Sequence, residues 1–202
     1  MTIATYAGLS TAIADRISRS DLTATVSDEC IALAEVRLQR LLRTLDMETN
    51  NASIAIATEY VTVPADFLAM RAFYLNVATR YALEYMPDDT MTNIYSTSGQ
   101  PRYYNVSGGS FRFGPAPDAS YTATLIYYAK IPAITSSNTT NWLLTAHPDA
   151  YLYGALMEVA TRLKDPNSAA GYQSLYASAI QDIQANAARN RWGGPGMAVR
   201  LG

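Results

Sequence analysis

Twelve of the fifteen tyrosines and all four phenylalanines of this 202-residue chain fall between Tyr60 and Tyr153. Aromatic and β-branched side chains fit the pleated, half-buried surface of a strand. The two flanks are instead rich in Ala, Leu, Gln and Arg, which favour helix. The expected fold is α+β: a bundle of about four long helices drawn from both chain ends, with an inserted antiparallel β-rich subdomain. Residues 1–50 and 147–202 would form the helical body, ending in a flexible tail over about 191–202, and residues 51–146 the insert.

In the first arm, Tyr6, Leu9, Ile13 and Ile17 recur at helical spacing, the pattern of a short amphipathic helix. A second helix is expected to start at Ser27, whose hydroxyl can accept from free backbone N–H groups. Asp28 and Glu29 would then lie in its positive first turn. Its buried stripe reads Ile31, Ala34, Leu38, Leu41 or Leu42, and Leu45. Arg37, Arg40 and Arg43 recur every three residues near its negative end, as a solvated face or as a contact surface. In the second arm Pro148 fits a first helical position, with Asp149 beside it. Tyr151, Leu152, Ala155, Leu156, Val159 and Leu163 make the buried stripe. Asp165-Pro166 stops that helix and can cap the next. The last helix places Tyr172, Leu175, Tyr176, Ala179, Ile183 and Ala187 on one side and runs to about Asn190, roughly 35 Å. Trp192-Gly-Gly-Pro-Gly-Met cannot continue it, hence the expected tail.

Between the arms, Ile54 and Ile56, a turn at Thr58-Glu59, and Tyr60 to Val63 read as a hairpin. Pro64 to Phe67 is a compact turn. Met70 to Val77 and Arg80 to Met86 read as strands, and Asp88 to Tyr95 as a short helix behind Pro87. Phe111 and Phe113 share one strand face with Arg112 opposite. From Tyr121 to Ile131 the odd positions are the drier, as in a sheet covered on one side. Ala133 to Thr140 is a polar connector.

Only 16% of residues are charged, against ~25% in typical soluble domains. Either a compact core lies under a Ser/Thr/Asn-rich surface, or partners cover part of that surface. The net charge of −2 argues against a general grip on nucleic acid phosphates, which needs a basic stripe. Cations do gather at the end: Ala185 to Gly202 holds Arg189, Arg191 and Arg200 and no acid. A chain of this size buries roughly 70% of its unfolded surface, so neither metal nor disulfide is required. The single Cys30 fits a reducing compartment. No apolar run approaches the ~18 residues of a membrane span. Met-Thr-Ile-Ala-Thr-Tyr lacks the features of a signal peptide, so a soluble protein made and used in the cytoplasm is expected, with no membrane partner.

Catalytic sets are hard to assemble. His147 is the single histidine, whereas a metal site needs several His, Cys or carboxylate ligands. It directly precedes a helix-starting proline and reads as a helix-start residue. The adjacent acids Asp88-Asp89 follow Pro87, where a helix start recruits acids; general acid–base work would need them in a cleft. No Gly-x-Gly-x-x-Gly or phosphate loop is present, and Gly108-Gly109 reads as a hairpin turn. The chain is therefore not expected to be an enzyme, and no catalytic, metal or cofactor-binding residue is assigned. The tyrosines divide between core, protein interface, and stacking on sugars or bases; missing basic interleaving weighs against the last.

Several segments, taken in order, resemble one family over nearly the whole chain. Tyr60-Val61-Thr62-Val63-Pro64-Ala65-Asp66-Phe67-Leu68 is similar to a strand ending in a hydrophobic-Pro-x-Asp-Phe turn, with Val63 where leucine is more usual. Gly99-Gln100-Pro101 with Tyr103-Tyr104, then Phe113-Gly114-Pro115-Ala116-Pro117-Asp118, resembles a central meander. Asn141-Trp142-Leu143-Leu144, Pro148-Asp149 and Tyr151-Leu152-Tyr153-Gly154-Ala155-Leu156 resemble the start of a third long helix. The resemblance is to the head-to-tail adaptor (connector) proteins of tailed bacteriophages. It implies a structural protein of the phage neck, assembled in the host cytoplasm as a ring, commonly of twelve copies. The ring would lie between portal protein and tail or nozzle protein, and the genomic DNA would pass through its channel without specific binding. The helical body would make subunit contacts and the C-terminal segment reach the portal. That assigns a portal or subunit interface to Arg189, Arg191, Trp192, Met197 and Arg200, with Arg37 and Arg40 on the second helix. Two other readings stay open: another virion component, such as a tail-tube or tail-completion protein, and a carbohydrate-binding module using the tyrosine-rich sheet.

Overall fold

The computed structural model describes residues 3–17, 24–94 and 97–192. In chain order it begins with helices α1 (Tyr6–Ile17) and α2 (Ala24–Leu41). Strands β1 (Glu48–Ile56), β2 (Tyr60–Thr62), β3 (Phe67–Asn76), β4 (Tyr81–Ala82) and β5 (Glu84–Tyr85) follow. Helix α3 (Asp88–Ile94) precedes strands β6 (Tyr103–Ser107), β7 (Ser110–Gly114) and β8 (Tyr121–Ala129). The chain then returns to helix in α4 (Trp142–Ala146), α5 (Pro148–Arg162) and α6 (Pro166–Trp192). Two compact units result: Met1–Asp46 with Ile131–Gly202, and Met47–Lys130.

Helix α5 is the centre of the helical unit. Pro148 occupies its first turn, where the missing N–H has no partner to lose. From Ala150 to Ala160 every residue except the half-buried Tyr153 is buried. A helix against a single surface shows a one-sided stripe; α5 is buried all round because α1, α2, α4 and α6 each pack on it. The expected bundle of about four long helices is therefore corrected. Among the described residues there are six helices, of 12, 18, 7, 5, 15 and 27 residues, beside two four-stranded sheets. The apolar residues of the helical unit converge on α5, and α3 belongs to the other unit.

Gly154 marks the tightest approach. A Cβ there would stand 3.1 Å from the Tyr176 ring and 3.2 Å from the Ala34 methyl, so α2 and α6 close on α5 where it has no side chain. Helix α2 starts earlier than expected. Ser27 is buried within it, on the stripe with Cys30, Ile31, Ala34 and Leu38, so its hydroxyl faces the core instead of capping the end. Helix α6 is about 40 Å long at 1.5 Å per residue and is capped by Asp165, which accepts from Ser168 N at 3.1 Å and Ser168 Oγ at 2.5 Å. Those bonds hold the Asp165 carboxyl below its ordinary value. Tyr176, Ala179, Ile180 and Ile183 form its buried side, whereas Leu175, expected there, is exposed.

In the β unit, Gly108 and Gly109 sit at φ 56° and 78°. Glycine adopts this left-handed conformation without a Cβ clash, and the pair closes the hairpin in which Ser107 faces Ser110. The sheets run in the orders β1-β8-β3-β4 and β2-β7-β6-β5. The hairpin expected across Thr58-Glu59 is not one: β1 pairs with β8 and β2 with β7. Nor is the unit wholly antiparallel, because β5 runs parallel to β6. Both sheets contribute to one core of Ile56, Phe73, Leu75, Leu83, Phe111, Phe113, Ala123, Leu125 and Tyr127. The Phe73 ring meets Phe111 at 5.3 Å and Phe113 at 5.6 Å, edge to face. Arg112, between those phenylalanines, points the other way and binds Glu59 at 2.7 Å and Asp88 at 2.8 Å.

Candidate interaction surface

A buried polar cluster fixes α2 against α5 and the 131–147 connector. Asn141 caps α4 by accepting from Leu144 N at 2.8 Å, and its amide donates to Pro132 O and Tyr151 Oη, each at 2.7 Å. The Tyr151 hydroxyl donates to Glu35 Oε1 at 3.2 Å, which also accepts from Ile134 N at 2.7 Å. Burial raises the Glu35 carboxyl above its ordinary value, against the two hydrogen bonds that lower it. Burial likewise pushes the Tyr151 hydroxyl up. The cluster is polar and made of positioning bonds.

With its inner face committed to Ile31, Ala34, Glu35 and Leu38, α2 turns a second apolar face outward. Leu33 is 52%, Val36 45% and Leu41 48% exposed. At 100° per residue, Leu33, Val36, Arg37 and Arg40 share one side of the helix. Beside that side lies a groove of about 460 Å³ between α2, α5 and α6. Its floor is apolar: Met157, Tyr176 and Ile180. Arg37, Arg40 and Leu41 form one wall; Gln173, Ala177, Gln181 and Gln184 form the other. Gln184 also donates to Leu41 O at 3.1 Å, satisfying a carbonyl left free at the end of α2.

The electrostatics of the groove are uneven. Arg37 Nε lies 2.5 Å from Glu158 Oε1, a carboxylate otherwise buried on α5. Arg40 is exposed and has no ion-pair partner among the described residues. The Tyr176 hydroxyl is buried without a hydrogen-bond partner, and burial raises it to about 12. The result is an apolar trough with a cationic lip, the Tyr176 hydroxyl being sealed beneath it. Such a site accepts an apolar group that carries an acceptor or an acid.

The residues singled out in the sequence fall in three places. Arg37 and Arg40 meet at this groove. Arg189 and Arg191 are exposed in the last turn of α6, where cations face the negative helix end, and Trp192 is its final residue. Met197 and Arg200 lie outside the described residues, as does the stretch 193–202 of the expected tail; Arg191 and Trp192, also assigned to it, are helical. The groove floor and the outer face of α2 were not anticipated. Leu33 and Val36 did carry a signal, since both are apolar residues off the main stripe.

The residues considered for chemistry have structural positions. His147 joins α4 to α5, its N–H donating to Leu143 O at 2.7 Å. Asp88 and Asp89 open α3, and Asp88 is held by Arg112. Among the described residues no group of three or more His, Cys, Asp or Glu is placed to hold a metal ion, and no helix is long and apolar enough to cross a membrane.

No curated protein matches the chain. One family model, described as SU10 adaptor protein, matches residues 4–199. That match spans both units and nearly every residue, so the chain belongs to the SU10 adaptor family, a family of phage head-to-tail adaptor proteins.

Proposed function

We propose that the chain assembles as a ring, commonly of twelve copies, between the portal and the tail or nozzle, with the genome passing through the channel. The family match over residues 4–199 carries this reading, because head-to-tail adaptors are structural proteins of the virion neck that associate with portal and tail proteins. The surface chemistry supports it. A groove lined by Arg37, Arg40, Met157 and Tyr176 beside an outward apolar face on α2 suits a protein contact, since Tyr, Met and Arg are enriched at interfaces. A net charge of −2 favours DNA sliding past over DNA binding.

In this proposal the helical body makes the subunit contacts, through Arg37 and Arg40 among others. The C-terminal segment, with Arg189, Arg191, Trp192, Met197 and Arg200, engages the portal. Trp and Arg commonly anchor interfaces. Removing residues 191–202 takes only the last two residues from α6, which runs from Pro166 to Trp192. The test is a pull-down of the full chain and of the chain lacking 191–202, against purified portal and against tail proteins separately. The full chain is expected to be retained by portal, and the truncated chain to remain folded but be lost from it. Undiminished portal binding by the truncated chain would refute the tail's role, and binding to tail-tube protein alone would favour a tail component.

A further inference from the structure

The groove between α2, α5 and α6 is cationic at its lip and apolar at its floor, and a segment of the β unit carries the opposite character. Glu84, Tyr85, Pro87, Asp88 and Asp89 are all exposed. Tyr85, at 63%, is the most exposed large apolar side chain among the described residues. It stands on β5, an outermost strand of its sheet, and leans on the Tyr104 ring at 6.0 Å. Arg112 holds Asp88 at 2.8 Å and so fixes the start of α3. Glu84 and Asp89 have no ion-pair partner among the described residues. Glu84 and Tyr85 point to opposite faces of β5, so the exposed Tyr85 ring is followed along the chain by the uncommitted acid Asp89 in the first turn of α3.

We propose that the groove of one copy receives the Glu84–Asp89 segment of a second copy, Tyr85 lying over Met157 and Ile180 and Asp89 against the arginine lip. This rests on the ring reading above. Two observations select this occupant. The charges are complementary, which steers and registers an interface. The chain's own residues 193–202 are a poorer fit, since they bring Arg200 and no acid to a lip that is already cationic. A patch binding a different patch on an identical copy is a heterologous contact, the kind that builds rings when its rotation closes.

The experiment places a photo-activatable cross-linking residue at Leu41 in the full chain, assembles the protein on purified portal, and maps the cross-links by mass spectrometry. Cross-links from position 41 to residues 84–89 of another copy are expected. Exposed-site charge reversals Arg40→Glu and Asp89→Arg should each lower that yield by about tenfold, and the two together should restore it, as a direct charge pair requires. Far-UV circular dichroism on each variant establishes that the fold is kept. If position 41 cross-links instead to portal, to a tail protein or to residues 193–202 while the protein still assembles, the groove assignment is overturned and the adaptor reading stands. If the protein fails to assemble on portal at all, both fall.

Discussion

Replacing Asn141 by alanine is expected to destabilise the helical unit by about 3 kcal/mol. The magnitude follows from what that one side chain satisfies. It caps α4 through Leu144 N at 2.8 Å, and losing an Asn cap costs about 1 kcal/mol. It donates to Pro132 O and to the Tyr151 hydroxyl, each at 2.7 Å. Asn141 is only 8% exposed and its bond to Tyr151 is buried, whereas Pro132 lies at an exposed position. The Tyr151 hydroxyl keeps its bond to Glu35, so each of the two lost bonds counts at the net value of an ordinary hydrogen bond, about 1 kcal/mol. For a chain of this size that sum corresponds to a fall in Tm of about 6–12 °C. Urea and thermal unfolding followed by circular dichroism measure it, with an unchanged urea slope as the sign that stability alone has moved. Asn141→Asp separates the contributions: it keeps the cap acceptor, loses both donated bonds, and sets a second carboxylate beside the Tyr151–Glu35 pair. It should be no more stable than the alanine variant at neutral pH and should recover as the pH falls. Wild-type stability in Asn141→Ala, within about 0.5 kcal/mol, would refute the claim that this cluster holds the connector to the helices.

Three further changes probe the same unit. Gly154→Val should cost about 1–3 kcal/mol by overpacking, because even the Cβ would stand 3.1 Å from the Tyr176 ring and 3.2 Å from the Ala34 methyl; chemical denaturation reads it directly. Burial raises the Glu35 carboxyl above its ordinary value of 4.5, so above that pH the folded state holds more protons than the unfolded one. Stability should then fall as pH rises through this window; Glu35→Gln should flatten the slope and equal or exceed wild type at pH 8. Tyr176→Phe should be within about 1 kcal/mol of wild type at neutral pH, since its hydroxyl has no hydrogen-bond partner to lose. Because burial raises that hydroxyl from 10.0 to about 12, wild type should lose stability as pH rises between those values, and the variant should lose less.

What could be read from the sequence was whatever a few adjacent residues decide. Gly108-Gly109 marked a turn because its left-handed backbone suits glycine. Pro148-Asp149 marked a helix start because a missing N–H and a negative charge are both tolerated or favoured there. The alternation at Phe111, Arg112 and Phe113 gave the strand's faces correctly. Pairing over distance was not legible. Residues 54–63 alternate as a hairpin would, yet β1 and β2 find partners in β8 and β7, at the far end of the insert, and no local pattern records that choice. The stripe on α5 was read as one-sided because Tyr151, Leu152, Ala155 and Leu156 fit a helical face; Gly154, Met157 and Glu158 are equally buried because other helices enclose α5, which is why the four-helix bundle did not hold. The candidate site followed the same division. Arg37 and Arg40 stood out by spacing along one helix, while the floor they overlook joins Met157 to Tyr176 and Ile180 across helices.

The central claim is that this chain works by being held between neighbours, with its free surfaces made for contact. Negative-stain imaging of purified portal mixed with the full chain tests it most directly. A continuous ring of added density on the tail-facing side of the portal, absent without the chain, is the expected result. A portal indistinguishable from the untreated one, with the added protein remaining monomeric in solution, would contradict it.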